Sequence, residues 1–378
     1  MPRHHALLVR IHSHANRNHR FTDLWKDHRV QRPHPWPCGY LPGGATDKDP
    51  NRGIAKVPDH RIDFLAQLYQ PKKVTHATVE FSDVAGLTAG AGEKGFSARF
   101  LGNLRDMEAL LIVVRVFKSE SVPHPEGSVD PSRDLDTILT ELILADLTII
   151  EKRLHRIDES WNKQPQNRKE FEIEKLSLHR FQEALENDKP IIFVEPTHDE
   201  IDKYIRPYGL LSGKQMMVVA NLSDTTDAQE SAWLQALEKT CEKWTFPVVI
   251  MNAQMEYDLF DFPPEEWGDY YSACGLEGPA ASSVIQESYQ ILKQHSFLTS
   301  GKDEVRAWTI PIGMNAQKAA GKIHSDIERG FIRAEIMSFE ELKKAGSEEA
   351  LKKEGKFRLE GKEYIVKDGD IINFRFSV

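Results

Sequence analysis

From about residue 76 the chain alternates short continuous apolar runs with longer stretches whose apolar residues fall at helical spacing. His76 to Asp83 (H-A-T-V-E-F-S-D) and Ala109 to Phe117 (A-L-L-I-V-V-R-V-F) are β-branched runs, and the second is unbroken enough to predict a strand buried on both faces of a parallel sheet. Gln215 to Asn221 and Phe246 to Ala253 predict two more strands, so the pattern is that of an open α/β sheet covered by helices. Between the second and third runs, Leu135, Ile138, Leu142, Ala145, Ile149 and Leu154 predict one helix and Phe171, Leu176, Leu178 and Phe181 another. The polar N-K-Q-P-Q-N at 162–167 turns one into the other, which predicts an inserted antiparallel hairpin; two ordinary surface helices on the sheet would show the same periodicity. From about residue 296 the runs V-R-A-W-T-I-P, G-F-I-R-A-E-I and K-E-Y-I-V-K-D-G-D-I-I-N-F-R-F predict a small β-rich module, with D-G-D as a hairpin turn.

The first 44 residues do not share this pattern. Apart from Ala6 to Ile11 they lack periodicity, Pro33, Pro35 and Pro37 block a helix, and they hold seven of the 15 histidines. The segment reads as disordered or foreign, and a His-rich metal tract is disfavoured because no zinc-like pairing with Cys accompanies it.

Composition narrows the classes. The 378 residues carry 49 Lys plus Arg against 58 Asp plus Glu, a net charge of −9, with 40% hydrophobic and 28% charged residues, which is ordinary for a soluble chain of two or three domains. No window approaches the ~18 apolar residues of a membrane span and the basic N-terminus lacks a signal-peptide core, so no membrane association is expected. Cys38, Cys241 and Cys274 build neither a disulfide framework nor a CxxC site, which makes the cytoplasm the expected compartment. An acidic total offers no global field for nucleic acid, and DNA is not an expected partner. A local cluster of Lys318, Lys322, His324, Arg329 and Arg333 suits ribosomal RNA or simply a solvated face.

The chemistry should sit at strand ends. Asp83-Val84-Ala85-Gly86 is a D-x-x-G closing the first strand, where a P-loop NTPase holds Mg²⁺ through the Asp and meets the γ-phosphate with the Gly amide. Asn221-Leu222-Ser223-Asp224 closes a later strand in the place of the GTPase base-recognition motif N-K-x-D. Leu87 stands where many GTPases have the water-orienting Gln, so hydrolysis by that route is excluded, and Leu222 replaces the Lys that stacks on the base.

D-P-N-R-G-I-A-K-V-P-D-H-R-I-D-F-L (49–65), D-V-A-G-L, T-E-L-I-L-A-D-L (140–147), E-V-R-A-W-T-I-P and A-A-G-K-I-H-S-D-I-E-R-G-F-I-R-A together resemble the Obg-like ATPase family of YchF type, over nearly everything from residue 49 onward. The resemblance implies an α/β fold: a Ras-like P-loop NTPase domain (49–134 and 211–295), an inserted antiparallel helical hairpin (135–210) and a C-terminal TGS, or β-grasp, domain (296–378), after an aberrant, disordered segment (1–48). It implies slow ATP hydrolysis, with GTP as an alternative, dependent on Mg²⁺ and associated with the ribosome, at the large subunit. Residue by residue, it puts Asp83 at Mg²⁺, Gly86 at the γ-phosphate, and Asn221, Leu222 and Asp224 at the base, and it matches His124 in V-P-H-P to a histidine that assists hydrolysis. On its own terms a single loop histidine reads as solvated. Three departures stand out: Asp224 where the family usually has Glu, Ile112 where it commonly has His, and Gly95-Phe96-Ser97-Ala98 where the switch normally reads G-L-G-N.

The family's opening strand and G-x-x-x-x-G-K-[ST] loop, whose amides cradle phosphates, have no counterpart in the chain. Back-translation of Arg17 to His34, read from the second base of each codon, permits I-I-G-L-P-T-S-G-K-T-T-V-F-N-A-L. The Trp25-Lys26 junction forces Gly in that frame and the next codon must be Lys or Arg. The opening therefore reads as an out-of-frame version of an ordinary phosphate loop, with the frame restored between Gly39 and Asp49. Two functions follow: a Mg²⁺-dependent NTPase switch on the ribosome, or a ribosome- or protein-binding scaffold that has lost nucleotide binding and works through its tail.

Overall fold

A computed structural model describes residues 6–13, 51–84, 96–119, 124, 126–223, 227–259, 262–273 and 278–377. Among these, twelve strands run in chain order as β1 (Ala6–Ser13), β2 (Asn51–Lys56), β3 (Lys73–Thr75), β4 (Thr78–Val84), β5 (Ala109–Arg115), β6 (Gln215–Asn221), β7 (Val248–Met251), β8 (Gln294–Thr299), β9 (Glu304–Pro311), β10 (Phe331–Ser338), β11 (Arg358–Glu360) and β12 (Asp370–Phe376). The chain forms two compact units. The first comprises residues 1–11, 38–52 and 82–267, and the second residues 12–37, 53–81 and 268–378.

The first unit is built on β1, β5, β6 and β7, neighbours in that order, with the last residues of β4 beside β1. β5, β6 and β7 are parallel, pairing Val113 with Val219 and Val219 with Val249. The unbroken A-L-L-I-V-V of β5 is explained by burial on both faces: Leu110, Leu111, Ile112 and Val114 are fully buried. Ile112, which departs from the family, is thus a packing residue in a cluster with Leu135, Ile138, Leu142, Val218 and Leu237.

β1 is the main departure from expectation. The sequence analysis placed residues 1–48 in a disordered segment, but Ala6–Ser13 forms a strand over A-L-L-V-R-I, the one run excepted there. It runs antiparallel to β5, pairing Ala6 with Val114 and Ile11 with Ala109. Residues 14–50, including the rest of the histidine-rich tract, lie outside the described residues.

The longer helices of the unit are α1 (Ala98–Arg105), α2 (Pro131–Ser160), α3 (Arg168–Glu186) and α4 (Ala228–Lys243). α2 begins at an Asp130 N-cap followed by Pro131, and α2 and α3 pack as an antiparallel hairpin through Ile150, Leu154, Ile157, Phe171, Leu178 and Phe181. Leu176 is not part of that seam; it is 75% exposed. At the hairpin seam the Arg153 guanidinium donates twice to Glu174, at 2.6 and 2.8 Å.

The second unit carries the other sheet, ordered β11-β10-β12-β8-β9-β3. The helix Ala316–Ile323 packs on it through Ala316, Ala319 and Ala320 against Phe297, Ile310, Ile336 and Phe374, the β-grasp arrangement. Two details differ from the sequence reading. The Lys367–Asp370 turn, with Gly369 at φ +78°, leads into β12 without joining a hairpin, since β12 pairs with β10 and β8. The segment 53–81, expected with the nucleotide domain, belongs to this unit, and its β3 adds a parallel edge strand to β9.

Candidate functional site

In the first unit the C-terminal ends of β5, β6 and β7 lie side by side, the edge at which ligands bind in an open parallel sheet. The ladder carries past the strand ends: Val116 N donates to Asn221 O at 2.9 Å and Leu222 N to Met251 O at 2.8 Å. Asn221 turns its side chain across to β7, where its Oδ1 accepts from Ala253 N at 3.0 Å. Asn252 caps the short helix Ala253–Asp258, accepting from Gln254 N and Met255 N. Leu222 is half-buried against the core.

Below this edge, Glu230 on α4 joins two loops: its Oε2 accepts from Ser223 Oγ at 2.7 Å and its Oε1 from Lys118 N at 3.2 Å. It is 5% exposed, and both donors are needed to hold a carboxylate there. Asp227 caps α4, accepting from Gln229 N and Glu230 N at 2.8 Å. Asp224, between them, and Gly86 lie outside the described residues, and Asp83 is placed as the penultimate residue of β4.

His124 departs from the expectation for a loop histidine. Its side chain is 4% exposed and its Nε2 lies 2.9 Å from Asp134 Oδ2, while its Nδ1 accepts from Glu126 N at 3.2 Å. Asp134, on the first turn of α2, is held at its other oxygen by Arg133, whose Nε and a terminal nitrogen lie at 3.1 and 2.8 Å. Burial pushes the Asp134 carboxyl up, and Arg133 and His124 pull it back.

Two acids of T-E-L-I-L-A-D-L, passed over as chemistry in the sequence, bind the site's frame. Glu141 accepts from Phe96 N at 3.0 Å, fixing the approach to α1, where the Phe96 and Phe100 rings lie 4.7 Å apart at a tilt of 44°. Asp146, fully buried, accepts from Leu211 N, Ser212 N and Ser212 Oγ at 2.7–2.8 Å, just ahead of β6. Sequence reasoning also missed Asn252, Ala253 and Glu230; the signal for the first two was the N-A at the end of the Phe246 to Ala253 run, and Glu230 had none.

Nothing described supplies a phosphate cradle. β1 starts level with Val114 and reaches Ala109 at Ile11, so its C-terminal end lies at the opposite edge of the sheet from Asn221. No cluster of three His, Cys, Asp or Glu side chains suited to a metal occurs among the described residues. None of the described helices is long and apolar enough to cross a membrane. In the second unit the basic cluster is partly neutralised, Lys318 by Glu328 at 2.8 Å and Arg329 by Asp326.

A sheet with the parallel run β5-β6-β7 and with D-x-x-G and N-x-x-D following its strands, a helical hairpin and a β-grasp module define a nucleotide-binding protein of the P-loop NTPase class. The model "YchF-GTPase_C: Protein of unknown function (DUF933)" matches residues 294–377. The chain is 39% identical over 333 residues to "Ribosome-binding ATPase YchF" of Bacillus subtilis (strain 168), covering 87% of this chain and 90% of that one. It is 38% identical over 331 residues to the protein of the same name from Escherichia coli O157:H7, with the same coverage. It is 35% identical over 342 residues to "Obg-like ATPase 1" of Oryza sativa subsp. japonica, covering 87% and 84%. The solved "Structure of the Schizosaccharomyces pombe YchF GTPase" superposes with a TM-score of 0.76 at 29% identity, over 90% of this chain and 91% of that one. The chain belongs to the YchF-type Obg-like ATPase family.

Proposed function

We propose that the chain is an ATP-hydrolysing switch associated with the ribosome, as its relatives' names describe, with GTP as a second substrate and the cytoplasm as its compartment. The nucleotide-binding domain is the α/β sheet, the hairpin its insertion, and the β-grasp module its tail. In this reading Asn221, Leu222 and Asp224 meet the base, Gly86 the γ-phosphate and Asp83 Mg²⁺, and His124 assists hydrolysis in place of the Gln that Leu87 displaces. The observation that supports it most is the Asn221 Oδ1 to Ala253 N bond, which leaves the Asn221 amide group as a fixed donor at the sheet edge.

Mg²⁺ fits only in part. A P-loop site pairs a strand-end Asp with a loop Ser or Thr, and the chain as written has the Asp but no such loop. In the alternative frame the G-K-T string supplies the hydroxyl and the phosphate-binding Lys.

That absence, with the antiparallel β1, is the ground for a second reading of the chain as written: a scaffold acting through its tail. A fluorescent ATP analogue titrated with Mg²⁺ separates the two, in parallel on this chain and on one whose residues 18–33 are replaced by the alternative-frame sequence. Micromolar binding by the second alone supports the switch reading for the reframed protein; binding by neither sinks it. Binding by both refutes the claim that the missing loop disables the site. Co-sedimentation with separated ribosomal subunits tests the large-subunit assignment.

A further inference from the structure

We infer that Asp134 is a positioning residue that docks His124 in one tautomer and one orientation, out of reach of a reacting water. The inference rests on the assignment of His124 to hydrolysis. The argument begins with the donors. Glu126 N–H points at His124 Nδ1, so that nitrogen offers its lone pair and bears no proton in the neutral ring; the proton is on Nε2 and is donated to Asp134 Oδ2. An imidazole so engaged has no lone pair left to accept a proton from water. It is also sealed, since its side chain is 4% exposed and its acceptor's 8%.

The dock is built, not incidental. Asp130 caps α2 by accepting from Arg133 N at 3.1 Å, which sets the turn carrying both Arg133 and Asp134. Arg133 then forks: it donates to Ser128 O at 2.8 Å and Ser128 Oγ at 3.1 Å, and to Asp134 Oδ1. One carboxylate oxygen is thereby committed to Arg133 and only the other faces the ring. Arg115, buried near the end of β5 with its guanidinium 4.6 Å from the Phe117 ring centre, adds a second positive charge acting on Asp134. The loop closes on itself through Gly127 N to His124 O at 3.0 Å, with Gly127 at φ +72°, a conformation that glycine adopts without strain. Swinging His124 toward the sheet edge therefore requires breaking two hydrogen bonds to the ring while the Asp134–Arg133 fork stays in place.

The test reads the ring itself. Imidazole ¹⁵N–¹H correlation spectra of the full chain at neutral pH, with the His124 signals assigned from H124Q, should show a single Nε2–H tautomer with Nδ1 as acceptor. In D134N, the amide cannot serve both Arg133 and the ring as acceptor, and the signals should move to the mixed tautomers of a released imidazole. Two tautomers in the unaltered chain, or an unchanged spectrum in D134N, would overturn the proposal. If D134N does not fold, the unaltered chain alone still decides, and R133Q should keep the tautomer because it spares the Oδ2 contact. In the reframed, ATP-binding chain, D134N should raise basal turnover about tenfold, the population released by one lost charge-assisted hydrogen bond, without changing KM; a fall in turnover would count against docking. Wild-type turnover by H124Q in that chain would defeat the hydrolytic assignment of His124 while leaving the tautomer result standing.

Discussion

Arg61 and Asp368, 307 residues apart in sequence, are joined by two hydrogen bonds of 2.8 and 3.1 Å, while the same guanidinium holds Asp59 at 2.8 Å through its Nε and one terminal nitrogen. The family motif V-P-D-H-R-I-D and the K-D-G-D turn thus meet within the second unit. Burial alone would raise the Asp368 carboxyl, but Arg61 brings it below its ordinary value. That bond's stabilisation is present above the unfolded carboxyl's pKa and is lost as pH falls through the folded one. We expect R61A to speed hydrogen exchange in the helix His60–Tyr69 and in β12 by at least tenfold, the loss expected for removing a charge-assisted fork. R61K should recover little, because a point charge cannot replace a planar fork. Equal protection in all three proteins would refute the link.

Asp146 gives a pH prediction of the opposite sign. Burial pushes its carboxyl up to about 6, although Ser212 and the Leu211 amide pull against it. The folded chain therefore holds a proton between roughly pH 4 and 6 that the unfolded chain releases. The stabilisation by the neutral form is complete below pH 4 and is lost as pH rises through 6. Compared with D146N, the unaltered chain should lose about 3 kcal/mol between pH 4 and 7, read as the difference in urea-unfolding free energy. A gain over that range would mean that the three donors outweigh burial.

What the sequence revealed and what it hid divide along physical lines. β5 and β6 were legible because strands buried on both faces carry unbroken apolar runs. The first helix of the hairpin was legible from Leu135, Ile138 and Leu142, which pack on the sheet, and the second from Phe171, Leu178 and Phe181, whereas Leu176, read in the same run, faces solvent because a step of two from Leu178 points it away on a helix. β3 has three residues and no pattern of its own; it exists because β9 offers an edge. The grouping of residues 53–81 with the tail depends on contacts such as Arg61 with Asp368, which no local window contains. At the site, Asn221 was visible as a motif, but its partner Ala253 was not, and the burial of His124 comes from Asp134 ten residues away.

The hairpin seam depends on Glu174, which accepts from Arg153 twice and from Tyr208 Oη at 2.5 Å. Burial and this carboxylate push the Tyr208 phenol up to about 12. Glu174 is almost wholly buried, so removing Arg153 strands a charge. A double-mutant cycle with R153M and E174Q should give a coupling of about 2 kcal/mol, less than a fully buried pair because Arg153 is 32% exposed. Coupling under about 0.5 kcal/mol would class the pair with solvent-screened surface bridges.

Asn221 allows a structural role to be separated from its proposed ligand role, because the atom bound within the fold is its Oδ1. Its Oδ1 ties β6 to the chain after β7 by accepting from Ala253 N. N221A leaves that amide without its acceptor and should cost about 1–3 kcal/mol. N221D keeps an acceptor in the same place, so its unfolding midpoint should stay close to that of the unaltered chain. It also replaces the Nδ2 donor, which the proposed function assigns to the base, with an acceptor. In the reframed chain N221D should therefore weaken ATP about tenfold or more, the effect of an unmatched polar pair. Full affinity in N221D would show that Asn221 serves the fold alone, whereas loss of stability in N221D equal to that in N221A would show that the Ala253 bond is not what holds the two strand ends together.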